Sequence, residues 1–392
     1  MLVALCIFVV FVNCAFAVRS LMIAARSRAH LEAVELDGAF PALSIVVPAR
    51  DEERQIEACV RSLLAQAYPD FEVIVVDDCS EDETRAILDR IALEDSRLIV
   101  VPGEPLPDGW VGKPWALEQG MRVARGGWLL STDADTEHEP AAVGSSVVYA
   151  LKYRLDALSL LTDQTMIGAA ERLVLPSILW TIAFAVGGLD DVSDPQKPDA
   201  ALFNGQYVLM SRPAYDAIGG YATLRGEVAE DLELARLLKS DGRFSIALVG
   251  AQGLVRTRMY RSFREIWDGF VKNFALGARG NAAASAFGLV FLASLSPLSP
   301  LALGFFAVTG HAGLALASGL AMLGATLAAE YGMSRSRFPR GSGWTIPVGM
   351  AVLFAIFATS LARYASGRGV EWRGRHYTPS RAASGEPKDN PS

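Results

Sequence analysis

Two long apolar blocks bracket this chain and constrain its fold more than any other feature. One runs from Leu2 to Ala25, interrupted only by Asn13, Arg19 and Ser20; the other covers residues 283–364. The stretch between them has ordinary globular composition. The chain as a whole is 51% hydrophobic and 20% charged, and the apolar excess sits in those two blocks. About 20 apolar residues suffice for a helix to cross a bilayer. The pattern therefore implies a membrane-held protein with an aqueous middle.

The first block does not read as a cleaved leader. No charged region precedes its apolar core, whereas Arg19, Arg26 and Arg28 follow it. Arginines mark the end that stays in the cytoplasm. Residues 1–28 are thus expected to be an uncleaved anchor, with the middle of the chain cytoplasmic and the protein in the cell inner membrane. The second block divides into segments of about 284–309, 311–330 and 344–364. Basic residues follow in both the connector (Arg335, Arg337, Arg340) and the tail (Arg368, Arg373, Arg375, Arg381), so the charge signals conflict. Pro297 and Pro300 allow the first of these segments to re-enter, and the expectation is a multi-pass protein with three or four spans.

A net charge of −7 without a basic stripe excludes nucleic acid as a partner. Cys6, Cys14, Cys59 and Cys79 show neither metal-site nor disulfide spacing, which fits a reducing compartment.

The middle reads as α/β. Residues 43–48 and 71–76 are apolar β-type runs, and 97–101 a third. Ile56, Val60, Leu63 and Leu64 recur at helical spacing between the first two; Thr84, Ile87, Leu88 and Ile91 do so before the third. Such a βαβαβ opening predicts a parallel sheet with right-handed crossovers, here without a GxGxxG loop. The Pro- and Gly-rich residues 102–115 predict a long functional loop. A helix over 116–124, strands over 128–132, 154–161 and 244–249, and a helix over 232–239 follow. Leu173–Leu189, with Pro176 and Gly187-Gly188, is short for a span and reads as interfacial or buried. Phe263, Ile266, Trp267, Phe270 and Phe274 share one side of a helix, with Arg264, Lys272 and Arg279 between them, a pattern suited to a membrane surface.

Three acidic stations punctuate this middle: Asp77-Asp78, Asp133-Ala134-Asp135 and Glu230-Asp231. The first two follow β-type runs, which puts carboxylates at the carboxyl edge of a sheet, where open α/β folds bind ligands. Carboxylates there suit a divalent cation and, through it, a diphosphate. Asp77 to Ser80 also reads as the cap of the next helix. His138 reads as a surface histidine rather than a further ligand.

Ser44-Ile45-Val46-Val47-Pro48-Ala49-Arg50-Asp51-Glu52, Val75-Val76-Asp77-Asp78-Cys79-Ser80, Thr132-Asp133-Ala134-Asp135 and Ala229-Glu230-Asp231 occur in an order and spacing that resemble a family 2 glycosyltransferase of the GT-A fold, over roughly residues 43–275. The chain is similar to the membrane-bound members that glycosylate lipids: ceramide glucosyltransferase, carotenoid-acid glucosyltransferases and the hopene-associated group. The resemblance implies a GT-A nucleotide-diphospho-sugar transferase domain with a mostly parallel sheet and flanking helices, plus transmembrane helices at both ends. It divides the chain into an anchor (1–28), a cytoplasmic transferase domain (40–260), an interfacial helix (261–282), C-terminal transmembrane helices (283–366) and a polar tail (367–392).

By that resemblance Pro48, Asp51, Glu52, Asp77 and Asp78 face the nucleoside of a UDP-sugar donor. Asp133 contacts the ribose and a divalent cation, Mg²⁺ or Mn²⁺, and Asp135 is the direct metal ligand. Asp231 is the base of an inverting transfer, with Glu230 beside it. Lys113 resembles a lysine of the donor cleft, and Phe203-Asn204-Gly205-Gln206 stands at the family's segment near donor sugar and acceptor. The later Arg-Trp motif matches imperfectly: Arg258 and Arg261 supply the cations for the leaving diphosphate, but Ser262 replaces the tryptophan, leaving Tyr260 or Phe263 as the aromatic platform. A lipid acceptor follows from the apolar ends. A processive polysaccharide synthase is the alternative enzyme, disfavoured by a single N-terminal span and by Ser262. A non-catalytic scaffold is the alternative from another class, disfavoured by the intact acids.

Overall fold

The computed structural model describes residues 1–26, 29–187, 189–197, 199–277, 282–366, 370–372 and 375–377. Arg28, Gly188, Arg279, Arg368, Arg373 and Arg381, all used in the sequence reading, lie outside them.

In chain order the apolar first block forms one helix, α1 (Leu2–Arg26). Then come β1 (Leu43–Ala49), α2 (Ile56–Leu64), β2 (Phe71–Asp77), α3 (Thr84–Glu94), β3 (Leu98–Pro102), α4 (Gly112–Val123), β4 (Trp128–Thr132), β5 (Thr136–His138) and α5 (Ala142–Lys152). Next are β6 (Ala157–Leu161), β7 (Asp163–Gln164), α6 (Ala169–Val186), α7 (Leu189–Ser193), β8 (Tyr207–Ser211), α8 (Arg212–Ala217), α9 (Glu230–Asp241), β9 (Ile246–Gly250) and β10 (Val255–Thr257). The chain closes with α10 (Phe263–Gly277), α11 (Ala282–Leu295), α12 (Leu298–Val308), α13 (Ala312–Arg335) and α14 (Ile346–Ala365), followed by a short antiparallel pairing of Val370–Trp372 with Arg375–Tyr377.

Seven strands make one sheet in the order β3-β2-β1-β4-β8-β6-β9. Every pairing is parallel except those of β8, which runs against β4 and β6. Period-two alternation divides the strand side chains between two apolar layers. Ile45, Val47, Val73 and Val75 join α2, α3 and α5 on one face, while Val46, Ile74 and Leu129 join α4 and α9 on the other. Because β2, β1 and β4 are parallel neighbours, their carboxyl ends open on one edge. The register pairs Ala49 with Asp77, and Thr132 with Tyr207, so the segment entering β8 arrives at that edge too.

Two local expectations need correction. Helix α3 begins at Thr84, not after Ser80, and its first N–H is accepted by Asp82 Oδ1 at 2.9 Å. His138 is buried at 5% exposure in β5, between Thr132 and Ser62, rather than at the surface.

The apolar helices pack into a bundle beside the sheet. Phe16 and Ile23 of α1, Val174 and Ile178 of α6, Ile266 and Phe270 of α10, Ala329 of α13 and Met350 of α14 belong to one buried cluster. Ala321, Ala325, Ala328 and Gly332 let α13 approach its neighbours closely, as small residues do in membrane helices. Phe11, Val18, Leu316, Leu320 and Leu327 point outward. Among the described residues four helices are long and apolar enough to cross a bilayer: Leu2–Arg26, Ala169–Ser193, Ala312–Arg335 and Ser342–Arg363. The pair Ala283–Leu295 and Leu298–Val308, bent by 55°, could add a fifth.

Sheet topology removes one of these. Helix α6 lies between β6 and β8, which pair with each other in the same sheet. A single crossing by α6 would put two paired strands on opposite sides of the membrane. Among the described residues before β8 the only regular element able to return is α7, five residues long and far too short. Helix α6 therefore dips into the bundle without crossing it.

Helix α10 lies against the same bundle. Ile266, Phe270 and Val271 are buried against the bundle, and Ser360 of α14 donates to the Val271 carbonyl at 2.8 Å. That part of its apolar face is covered by protein, while Phe263 at its start is 46% exposed.

Candidate active site

A cleft of about 490 Å³ opens at the carboxyl edge of β1, β2 and β4. Its walls bring together residues from all three acidic stations, Asp78, Asp133, Asp135, Glu230 and Asp231, with Glu52 of the loop after β1.

The first station and the loop after β1 together divide by role. Pro48, Glu52 and Asp78 line the cleft. Asp51 and Asp77 bind backbone instead. Asp51 sits at φ 53°, in the left-handed region, and its carboxylate accepts the Glu81 N–H at 2.8 Å. Asp77 Oδ1 accepts the Ser80 N–H at 3.2 Å. The Asp51 N–H donates to Ser80 Oγ at 3.0 Å and the Glu52 N–H to Thr84 Oγ1 at 2.8 Å. These bonds lace the two loops into one rigid rim. Gly103 closes it: a Cβ there would lie 2.6 Å from the Asp77 carbonyl oxygen.

The second station is the turn after β4. Thr136 Oγ1 donates to the Asp133 carbonyl at 2.7 Å, and Thr257 Oγ1 of β10 donates to the Asp135 carbonyl at 3.1 Å. The small sheet of β5, β10 and β7 thus anchors the turn from behind.

The third station opens α9. Glu230 is buried at 6% exposure. Asp231 Oδ2 accepts the Gly205 N–H and Oδ1 the Leu232 N–H, each at 2.8 Å, which fixes the carboxylate plane at the cleft wall. Gly205 is constrained in turn: an added Cβ would stand 2.9 Å from Lys113 Nζ and 3.0 Å from Asp231 Oδ2.

Lys113 joins the second and third stations. It enters from the first turn of α4, where Pro114 is tolerated because the N–H it lacks would have no helical partner. The loop before α4 is held by Trp115 Nε1, which donates to the Glu104 carbonyl at 3.1 Å, and by Gln119 Oε1, which accepts the Glu104 N–H at 2.7 Å. Trp115 is therefore a packing residue. The Lys113 ammonium lies 2.8 Å from Asp133 Oδ1 and 2.7 Å from Glu230 Oε1, and donates to the Gly205 carbonyl at 3.3 Å. Burial works to lower its pKa, but Asp133, Glu230 and Asp231 outweigh it and hold the ammonium well above its ordinary range. Burial pushes the Glu230 carboxyl up, and Lys113 offsets part of that shift.

The two arginines after β10 do not line the cleft. Arg258 makes a bidentate pair with Glu171 at the start of α6, with Nε 2.8 Å from Oε1 and Nη2 3.2 Å from Oε2; the Glu171 side chain is fully buried. Arg261 reaches Gln55 Oε1 at 3.4 Å. The cationic side chains of the cleft are Arg50, Lys113 and Lys272. Sequence reasoning missed two of them. Arg50 stands inside the quoted motif beside the acids, and Lys272 is among the basic residues of the helix whose pattern suits a membrane surface. The usable signal was the spacing of Gly269 and Lys272, one helical turn apart and both on the cleft face of α10. Tyr260 lines the cleft, whereas Phe263 is 46% exposed.

The donor set bears on a metal. No group of three or more His, Cys, Asp or Glu side chains among the described residues could cage an ion. Asp133 and Asp135 instead offer hard oxygen ligands at an open cleft. That suits a small divalent cation that draws its remaining ligands from a diphosphate and water.

Comparison with known proteins bears on the fold and on the family of the middle segment. Residues 44–169 match the family described as Glycosyl transferase family 2. The chain is 26% identical over 260 residues to a 4,4'-diaponeurosporenoate glycosyltransferase of Staphylococcus aureus (strain USA300), covering 64% of this chain and 66% of that protein. It is 24% identical over 239 residues to the enzyme of that name from Staphylococcus haemolyticus (strain JCSC1435), covering 60% and 62%. The match thus spans a little under two thirds of these relatives' length. Among solved structures, the mannosyltransferase PcManGT from Pyrobaculum calidifontis, in complex with GDP-Man and Mn²⁺, aligns over 94% of this chain and 100% of its own with a TM-score of 0.55 at 18% identity. The sheet order, the edge that carries the acids and these matches together identify residues 44–169 as a Glycosyl transferase family 2 domain within a GT-A fold.

Proposed function

We propose that this protein is an inverting glycosyltransferase that moves a sugar from a nucleoside diphosphate to a lipid acceptor at the membrane. The observation that carries the reading is the placement of Asp231. It stands at the cleft wall, oriented by two backbone N–H groups, next to Glu230, which Lys113 links to Asp133 of the second station.

In this reading Pro48, Glu52 and Asp78 hold the nucleoside, while Asp51 and Asp77 shape the rim that carries them. UDP is the donor nucleotide to test first, with GDP as the comparison arm, since PcManGT was solved with GDP-Man. Asp135 and Asp133 would hold Mg²⁺ or Mn²⁺, which when bound offsets charge on the leaving diphosphate. Lys113, Arg50 and Lys272 supply fixed positive charge along the same wall, the part first given to Arg258 and Arg261. Asp231 takes the acceptor's hydroxyl proton as the oxygen attacks the anomeric carbon. Glu230 is committed to Lys113 at 2.7 Å and acts as a positioning residue. The apolar ends, with Arg19 and Arg26 closing the first, support an inner-membrane protein whose cleft faces the cytoplasm.

The test uses the full chain in lipid nanodiscs with labelled UDP- and GDP-sugars and a bacterial lipid extract, followed by mass spectrometry of the lipids. Asp231→Asn is expected to abolish transfer while keeping metal-dependent nucleotide binding. Retained turnover would remove Asp231 from the base role.

A further inference from the structure

Asp231 lines two cavities. Beyond the wall formed by residues 202–206 lies a second one of about 370 Å³, within the range of small-molecule sites. Leu202, Phe203, Asn204, Gln206, Asp231 and Met259 face both it and the nucleotide cleft.

The second cavity joins a polar network near Asp231 to an apolar wall, with His30, Gln252, Arg335 and Arg337 also lining it. The polar end is a network of amides and a hydroxyl beside Asp231. Thr162 Oγ1 donates to Gln206 Oε1, Gln164 Nε2 donates to Thr162 Oγ1 at 3.1 Å and to Gln206 Oε1 at 3.2 Å, and Asn204 Nδ2 donates to the Leu160 carbonyl at 2.8 Å. The apolar body is built by the bundle: Ile23 of α1, Leu179, Ile182 and Ala183 of α6, and Phe270 of α10. Arg337, in the same wall, faces Asp163 with Nε 3.7 Å from Oδ2, so its charge is matched.

The geometry points to this cavity as the acceptor site. Its ligand is an amphiphile with a hydroxyl head and a slender hydrocarbon body, the head beside Asp231 and the body between α1, α6 and α10. This rests on the reading of Asp231 as the base. A hydroxyl fits beside Asp231 better than a carboxylate, because the Asp231 carboxylate would repel a second anion there. The acceptor oxygen forms its bond to the anomeric carbon as the bond from that carbon to the diphosphate oxygen breaks. The hydroxyl proton passes to Asp231, and the electron pair of the broken bond leaves with the nucleoside diphosphate. The dip of α6 now has a purpose, since it carries the cavity wall into the membrane bundle, where a lipid can enter sideways without leaving the bilayer.

The probe is a long-chain n-alkanol bearing a diazirine near its hydroxyl-free end, incubated with the full chain in nanodiscs, irradiated and mapped by peptide mass spectrometry. Label is expected on the apolar body, at residues 179–183 and at Ile23 and Phe270. Ala183→Trp, which fills the apolar body, is expected to cut that labelling and sugar transfer by about tenfold or more. It should leave UDP binding and UDP-sugar hydrolysis unchanged, which also shows that the variant folds. Label confined to the outward faces of α1 and α13, or undiminished by Ala183→Trp, would overturn the assignment. So would stronger labelling by the matching fatty acid than by the alkanol. Sugar transfer to extracted lipid with label elsewhere refutes the cavity and leaves the transferase reading standing. Label in the cavity with no sugar transferred supports the cavity and refutes that reading.

Discussion

Substitution of Gly205 by alanine tests the site with the smallest possible change. Gly205 is not in the left-handed region, so alanine meets no backbone penalty there. Its effect must come from the methyl group. The new Cβ would lie 2.9 Å from Lys113 Nζ, 3.0 Å from Asp231 Oδ2 and 3.3 Å from Asp231 Cβ, where ordinary contact begins at 3.4 Å. The ammonium and the carboxylate must each retreat by about half an ångström. Both are ends of side chains, so the fold survives. The Gly205 N–H still points at Asp231 but across a shifted bond. Misplacement of a catalytic group by about 1 Å costs roughly 10²-fold in rate, so half that distance is worth about tenfold, or about 1.4 kcal/mol of barrier. The nucleoside wall of Pro48, Glu52 and Asp78 is not contacted by this methyl, so UDP affinity should stay within about threefold, or about 0.6 kcal/mol. Steady-state transfer to extracted lipid, with nucleotide binding by titration, separates the two quantities. Gly127→Ala, whose Cβ would meet only the Ala42 carbonyl at 4.0 Å, is the control. Full turnover in Gly205→Ala would show that Asp231 need not hold this position, and an equal loss of UDP binding would place Gly205 with the donor instead.

Four further outcomes follow from the same geometry. Lys113→Met leaves Asp133, Glu230 and Asp231 around an uncharged chain, and is expected to cost about 3–5 kcal/mol of stability at neutral pH. Because burial raises the folded-state pKa of Glu230 above its ordinary 4.5, its stabilising protonated state is complete below that value and lost as pH rises through the folded pKa; thermal melts of the variant should recover towards pH 4.5, and a pH-independent deficit would refute this. Arg258→Met strands the buried Glu171 and should lower the melting temperature with KM for the donor unchanged; a raised KM at constant stability would return Arg258 to the leaving group. Asp135→Ala should weaken UDP binding with Mn²⁺ or Mg²⁺ present but not in a chelator, and equal loss in both would make the residue structural. Burial pushes His138 down to about 3 from 6.5, so it is neutral when folded; its contribution is intact above pH 6.5 and drains as pH falls towards 3, a slope that His138→Gln should flatten in acid unfolding and whose persistence would exonerate His138.

The strands were legible because each is a short run of β-branched and apolar residues. Val73 to Val76 is buried on both faces, and no helical period competes with it. The acids at the ends of β2 and β4 were legible for the same reason, since a carboxylate after such a run has few places to go but the sheet edge. The partners of those acids were not. Lys113 is 20 residues from Asp133 and 117 from Glu230 in sequence, and only the turn of α4 against the sheet brings them together. Arg258 and Glu171 are separated by 87 positions, so a pair that ties β10 to α6 looked like a free cation near a diphosphate. His138 looked exposed because its neighbours Glu137 and Glu139 are charged. In a strand those two face the opposite side, where Arg256 binds both, and the histidine between them turns inward.

Helix α6 shows why a local reading of hydropathy falls short in a chain like this. Its composition alone admits a crossing, and only the pairing of β6 with β8 forbids one. The sheet holds both ends of the excursion on the same side of the membrane. The Glu171–Arg258 pair fixes its entry, and the Arg19 Nε bond to the Phe184 carbonyl, at 2.8 Å, fixes its far turn against the anchor. Residues 202–206 lead into β8, which the same sheet holds between β4 and β6. The wall between the two cavities is thus set by the same strand pairing that sets the depth of α6. An acceptor seated against α6 would meet Asp231 at a position determined by the fold, without any separate device to align membrane and cleft.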